Sequence, residues 1–343
     1  LEGKEVKRMT PLLADLGEKA LIRNFIKPYF NKTDDPAGVG DDCAMVGFGN
    51  EIALISTDRV PADLTAFKLG LLDYWGIGDY LARLNLSDTA ACGGRAVGLL
   101  LNLGLPNDIS VEEVESLCRG FGECADRHGA GVLGGDVTNA GELSISATSI
   151  GRAARGLVLT RRRAMPGDSV FVSRPLGLTP AAFHVFRERR ESELSPESVA
   201  QLKRQFTGME PMLTLGQSLA ASRTCSSCID NTDGIGQSLS ELAEASGCSV
   251  VVDHAELRIP AIVEQVARLV GRPALDIVFD PGADFSLVGT LQGEWSSERA
   301  STHYGRDVEI IGRVEVGHGV WLDDGVRKPL SYRGWNYFSS GTA

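Results

Sequence analysis

No stretch of this sequence stays apolar for long enough to cross a bilayer, and no charged-then-apolar leader is expected at its head. The chain opens on Leu1 rather than Met, so either its natural start lies upstream or Leu1 is a remnant of added sequence. Positive charge is scarce as well: 34 Lys and Arg face 45 Asp and Glu, a net charge of −11. A broad nucleic-acid footprint needs clustered Lys and Arg, so that balance argues against nucleic acid and suits a protein that collects divalent cations. Seven cysteines make an odd count without a disulfide framework. Cys225 and Cys228 form one CxxC, no second pair completes a zinc site, and free thiols in a reducing cytoplasm are the default. The GxxxxGK[ST] phosphate loop is missing, and so are the HRD and DFG signatures of protein kinases. Nucleotide chemistry here therefore requires a different fold.

What the chain does have is length and glycine. With 343 residues it exceeds the usual single domain, and 40 glycines indicate many tight turns. Short apolar runs bounded by Gly, Pro or Asp read as strands: EIALIST (51–57), AVGLLLNLGL (96–105), LSISATSIG (143–151), DSVFVS (168–173) and CSVVVD (248–253). Helical patterns lie between them. Ser110 followed by Glu113 is a capping box, and Val111, Val114, Leu117, Phe121 and Ala125 form an apolar stripe ending at Gly129. GQSLSELAEASG forms a second helix, ending at Gly247, while RERRESELSPES (187–198) reads as an exposed connection. This alternation predicts an α/β or α+β protein of two domains, 1–155 and 156–343, with the boundary near Gly151 to Gly156.

Five acidic turns carry the chemistry. They are GVGDDC with Asp41 and Asp42, STD with Asp58, NLSDTAACGG with Asp88, GGD with Asp136, and DNTDG with Asp230 and Asp233. Each admits a structural reading, since Asp before a turn or helix caps the backbone; Asp233 in particular is placed to cap the helix behind it. Asp88, among small apolar neighbours, is harder to place without a cation or hydrogen bonds to meet its charge. The glycines before Asp136 let backbone close in around it. If the five turns converge, their mutual repulsion calls for hard cations, and Mg²⁺ takes carboxylate and phosphate oxygens together. TRRRAMPGD concentrates Arg161, Arg162 and Arg163, either as a solvated surface or as a phosphate contact.

Taken in order, these stretches resemble the thiamine-monophosphate kinase family, part of the aminoimidazole ribonucleotide synthetase-like superfamily. GEKALIRNF (17–25), GVGDDCAMV, STD, NLSDTAACGG, GGDVT, MPGDSVFVS, DNTDG, IIGRVEVGHGVWLDDG and GWNYF carry the resemblance over nearly the whole chain. It implies an α/β subunit with an N-terminal domain that binds ATP and Mg²⁺ and forms a homodimer through its sheet, and a C-terminal α/β domain. It further implies in-line transfer of the γ-phosphoryl of ATP, with thiamine monophosphate as default acceptor. By motif match the metal set is Asp41, Asp42, Asp58, Asp88, Asp136, Asp230 and Asp233, of which Asp88, Asp136 and Asp233 carry the catalytic role. Gly40, Thr57, Gly134, Gly135, Arg162 and Thr232 match the nucleotide side, and Asp284 and Trp335 the acceptor side.

Departures from the family pattern gather on the acceptor side. PGADFS (281–286) stands where Gly-Gly-Glu-Asp-Tyr-Glu is usual, so Ala283 and Ser286 replace glutamates. PLGLTPAAF replaces a Gly-Asp-Ser stretch, RVPADLTAF lacks the usual histidine, and Asn336-Tyr337 replaces a terminal Asp-His. A pocket stripped of carboxylates changes which groups it holds. The alternative is thus a kinase, ligase or dehydratase of the same superfamily acting on a different small metabolite.

Overall fold

The computed structural model describes Leu13 and residues 18–30, 40–60, 64–305 and 307–332. Two sheets organise them. The first contains β1 (Ala44–Phe48), β2 (Glu51–Val60), β3 (Arg95–Leu105), β4 (Gly131–Asn139) and β5 (Ser144–Ala154), in the order β1-β2-β5-β3-β4. Its pairs are antiparallel except β3 with β4. The second runs β12-β11-β8-β10-β6-β9-β7, built from β6 (Ser169–Val172), β7 (Cys225–Asp230), β8 (Ser249–Asp253), β9 (Leu287–Leu291), β10 (Glu309–Glu315), β11 (Gly319–Asp323) and β12 (Arg327–Pro329). The last strand of the first sheet ends at Ala154 and the first strand of the second begins at Ser169. All five strand expectations fall on strands, each within a few residues of its expected ends.

Two helices pack on one face of the first sheet: α1 (Tyr74–Ala91) and α2 (Val111–Arg127). Asp73 caps α1, its carboxylate accepting from the Gly76 N–H at 2.8 Å. The α2 capping box is formed in both directions, Ser110 Oγ with the Glu113 N–H and Glu113 Oε2 with the Ser110 N–H. Leu117, Phe121 and Ala125 are buried as the stripe requires, but Val111 is exposed, because the first turn of α2 overhangs the core. α1 is buried almost all round, since it also touches β7 and α5 (Leu213–Ser222, after α3, Leu178–Arg187, and α4, Pro196–Thr207). A helix enclosed this way needs apolar residues on every face. Asp79, Arg83, Asn85 and Ser87 are therefore polar groups in a place where each must be answered. α6 (Ile235–Ser246) follows DNTDG directly and ends at Gly247, as its pattern predicts. The 187–198 connection leaves α3 at Arg187, makes a short 3-10 turn at Glu191–Glu193 and reaches Ser195, whose hydroxyl caps α4.

No helix among the described residues is long and apolar enough to cross a membrane. All seven cysteines are free. Cys225 and Cys228 join no metal-binding cluster among the described residues.

Candidate active site

The acidic turns meet between the two sheets. Asp42 enters from the loop before β1, Asp88 from the last turn of α1, and Asp230 from the end of β7. One carboxylate oxygen from each lies within 4.8 Å of the other two. Asp58, on β2, faces the same space: Asn85, one turn before Asp88, accepts the Asp58 N–H at 3.1 Å and donates to the Leu81 carbonyl. The Asp58 and Asp88 carboxyls share a hydrogen bond.

Electrostatics mark this space as incomplete. Burial pushes the Asp88 and Asp230 carboxyls well above the ordinary range, and their neighbours' negative charges push the same way. Burial also raises Asp42 and Asp58, and lifts Asp41 to about 6 with help from the Asp42 charge. The buried Oδ2 atoms of Asp41, Asp42 and Asp230 have no hydrogen-bond partner. Buried polar atoms are seldom left so, and acceptor oxygens converging from three elements fit a hard divalent cation.

One cation is already present. Arg161, in the connection between the sheets, places Nη2 2.6 Å from Asp42 and Nη1 2.7 Å from Glu241 of α6, and its N–H donates to Asp41. Burial opposes its charge, but Asp42 and Glu241 outweigh burial and hold the guanidinium above its ordinary value. Sequence matching singled out Arg162, which is half-buried beside Arg161; Arg161 reaches the carboxylates, and Arg163 is exposed. Three successive arginines look alike in a sequence, and the course of the connection decides what each one meets.

Asp136 departs from the expected set. Gly135 pairs through Leu101 and Ala147 with Asp58, on the face that packs against α1. Asp136 pairs through Asn102 and Ser146 with Arg59, on the opposite face. Three strand spacings put it about 14 Å from β2. Within one chain, then, Asp136 does not join the other aspartates. Gly134 and Gly135 lie beside it on an exposed edge strand, and a Cβ at Gly135 would come 1.7 Å from the Leu101 oxygen, so only glycine pairs there. Thr57 also points to the outer face and is exposed, its hydroxyl donating to the Ala147 carbonyl. Gly40 is exposed just before Asp41.

DNTDG is bound to the altered acceptor loop. Asn231 accepts the N–H groups of Asp284 and Phe285 on its carbonyl, and its side chain donates to Asp284 Oδ1 at 3.0 Å. The Ser286 N–H takes the same oxygen. Asp284 is buried and its carboxylate braces the loop instead of lying open to a substrate. Gly234, at φ +107°, caps α6 and lies against Asp280 and Pro281, where a Cβ would come within 3.1 Å. Gly234 thus holds the N-cap position that the sequence offered to Asp233, and Thr232 and Asp233 are half-buried beside it. Trp335, Asn336 and Tyr337 lie outside the described residues.

Arg83 ties this loop to α1, and sequence reading missed it. The wholly buried guanidinium pairs with Asp79 at 2.7 Å and donates to the Phe206 and Met209 carbonyls. Its central carbon lies 5.5 Å from the centre of the Phe285 ring. Phe285 itself has φ +52°, a costly conformation for an aromatic residue that its surroundings must hold in place. Asp280, at the loop's other end, is kept below its ordinary value despite burial by His184 and Arg272.

Comparison with known proteins accounts for this architecture. The profile of the AIR synthase related protein, N-terminal domain, matches residues 40–153. A curated thiamine-monophosphate kinase from Pyrococcus horikoshii is 28% identical, over 96% of this chain and 98% of its own length. The crystal structure of thiamine-monophosphate kinase from Stenotrophomonas maltophilia superposes with a TM-score of 0.69 at 29% identity, over 85% of this chain and 92% of that one. A solved structure described as AaThiL complexed with AMPPCP and TMP superposes at 0.81 with 25% identity, over 96% and 99%. Over nearly its whole length the chain is similar to thiamine-monophosphate kinases.

Proposed function

We propose that the protein transfers the γ-phosphoryl group of ATP to thiamine monophosphate, giving ADP and thiamine diphosphate. The convergence of Asp42, Asp88 and Asp230 within 4.8 Å carries this reading, in a chain similar from end to end to thiamine-monophosphate kinases. The related AaThiL structure contains AMPPCP and TMP together, which supports the same pair of substrate sites here.

In this reading Asp42, Asp88 and Asp230 hold Mg²⁺, with Asp41, Asp58 and Asp233 in support. Bound Mg²⁺ supplies charge neutralisation across the phosphates. The remaining work belongs to the chain. Thr232 and the N-terminal end of α6 would face phosphate oxygens, and Thr57, on the outer face of the sheet, would reach them only across a dimer interface. The phosphate oxygen of the acceptor attacks the γ-phosphorus in line as the bond to ADP breaks, and no enzyme nucleophile is needed. Arg83 and Asn231 keep the 281–286 loop in register with the aspartates, acting as positioning residues for the acceptor.

The functional unit in this reading is a homodimer. Val46, Phe48 and Leu100 are exposed apolar side chains on the sheet face away from α1, of the kind that partners cover. Asp136, Gly134 and Thr57 lie on that same face, so pairing two sheets would bring the Asp136 of one protomer toward the site of the other. A cytoplasmic location accords with seven free thiols.

The test is incubation with ATP, Mg²⁺ and thiamine monophosphate, followed by chromatography. ADP and thiamine diphosphate formed one to one support the kinase. ADP formed with free phosphate, and no thiamine diphosphate, points to the ligase or dehydratase alternative.

A further inference from the structure

Away from the aspartates, one group of side chains has the donor set of a transition-metal site. Cys124 and His128 stand four residues apart, at the end of α2 and just beyond it, and so share one face. Glu210, from the segment between α4 and α5, meets them across the contact between the two sheet layers. The sulfur, an imidazole nitrogen and a carboxylate oxygen all lie within 4.8 Å of one another. His128 Nε2 is 2.7 Å from Glu210 Oε2.

We propose that Cys124, His128 and Glu210 bind one zinc-class divalent ion that clamps α2 to the segment between α4 and α5. Thiolate, imidazole and carboxylate together suit borderline ions such as Zn²⁺ and Co²⁺ and suit Mg²⁺ poorly. The charges balance, since a dication meets one thiolate and one carboxylate. Arg127 does not displace it: that guanidinium is committed to Asp79 at 2.5 Å and reaches only the other oxygen of Glu210, at 3.4 Å. The group is graded from dry to wet, with Cys124 wholly buried, the His128 side chain 15% exposed and the Glu210 side chain 44% exposed. An ion entering from the Glu210 side keeps a position open to water.

Two other readings of the same residues are weaker. A Cys–His nucleophile needs an accessible, acidic thiol, whereas Cys124 is enclosed and burial pushes its thiol up to about 12. A plain His128–Glu210 ion pair leaves the nearby sulfur without a purpose, and it predicts that Cys124 makes no difference to metal binding. The clamp has a structural consequence. The Met209 and Glu210 carbonyls receive Arg83 and Arg174, so the ion would fix the segment against which the acceptor loop is braced.

The test uses Co²⁺ on metal-free full-length protein carrying Cys118→Ser, which removes the one exposed thiol. One equivalent is expected to produce a thiolate-to-cobalt charge-transfer band and tetrahedral d–d bands. Zn²⁺ should bleach them and raise the melting temperature. The bands should survive Cys92→Ser, which controls for the thiol near Asp41 and Asp42, and vanish in Cys124→Ser. His128→Ala and Glu210→Gln, both on the wetter side, should weaken Co²⁺ binding at least tenfold whether or not Cys124→Ser folds. Absence of the charge-transfer band, its persistence in Cys124→Ser, or unchanged affinity in both of the other variants overturns the proposal.

Discussion

Replacing Asp88 by Asn separates a metal ligand from a structural carboxylate, because the two roles predict opposite results. At 4.8 Å and an effective dielectric near 20, each pair of like charges repels by about 3.5 kcal/mol. Asp88 faces both Asp42 and Asp230, so full ionisation would carry about 7 kcal/mol of repulsion. Burial and the neighbouring carboxylates favour the protonated form of Asp88 in the metal-free chain and displace its pKa strongly upward. Asn has the shape and neutrality of that protonated form. Asp88→Asn should therefore leave metal-free stability within about 1 kcal/mol of the parent, as read by urea denaturation. Turnover should behave quite differently. Loss of a group that merely orients a metal ligand costs 10–100-fold, so loss of the ligand itself should cost about 10³-fold, near 4 kcal/mol of barrier. The Mg²⁺-induced rise in melting temperature should shrink in parallel. Full activity in Asp88→Asn would refute the metal assignment, and a loss of several kcal/mol in stability would make Asp88 a structural residue.

Arg161→Met strands the buried Asp42 carboxylate, so metal-free stability should drop by about 3–5 kcal/mol in urea denaturation, with Mg²⁺ restoring part of it. The metal-free protein should also lose stability as pH rises. Asp41 is lifted from 3.8 to about 6, so the folded chain holds that proton more tightly than the unfolded one, and the benefit is complete below about pH 4 and gone above about 6. Asp41 alone is worth on the order of 3 kcal/mol, Asp88 and Asp230 act in the same direction, and a melting temperature flat from pH 4 to pH 8 would contradict the assignment. Asp136→Asn, on an exposed strand, should fold normally yet be inactive. Mixed and reassembled with Asp88→Asn it should regain roughly a quarter of parental activity, since half the dimers are mixed and each has one intact site; no recovery would place Asp136 outside the partner's site.

Much of the fold is legible in the sequence because its signals are local. Ser110 and Glu113 announce α2 three residues apart, and apolar runs between Gly and Asp announce the strands. The aspartate motifs are legible for a related reason, as each is a short turn at the end of such an element. What the sequence conceals depends on register. β-Bulges near Ala96–Gly98 and Leu99–Leu100 displace β3 against its neighbours, and this register puts Asp136 on the face opposite Asp58. No alternation pattern in β4 shows that shift. Arg83 and Glu241 were invisible for another reason: the Phe206 carbonyl that Arg83 meets and the Arg161 that Glu241 meets are 123 and 80 residues away in the chain, and a charge in a helix looks solvated until something is packed against it. Asp284 matched a family position, but its role as a brace for Asn231 became visible only once the two loops were placed side by side.

The central claim is that the aspartates of two sheet layers hold a divalent cation against nucleotide phosphates. Electron paramagnetic resonance of Mn²⁺, titrated into the protein with and without AMPPCP, tests it most directly. Mn²⁺ should bind more tightly when AMPPCP is present, and Asp42→Asn and Asp230→Asn should each abolish that gain. Mn²⁺ binding that ignores both the nucleotide and the substitutions would contradict the account.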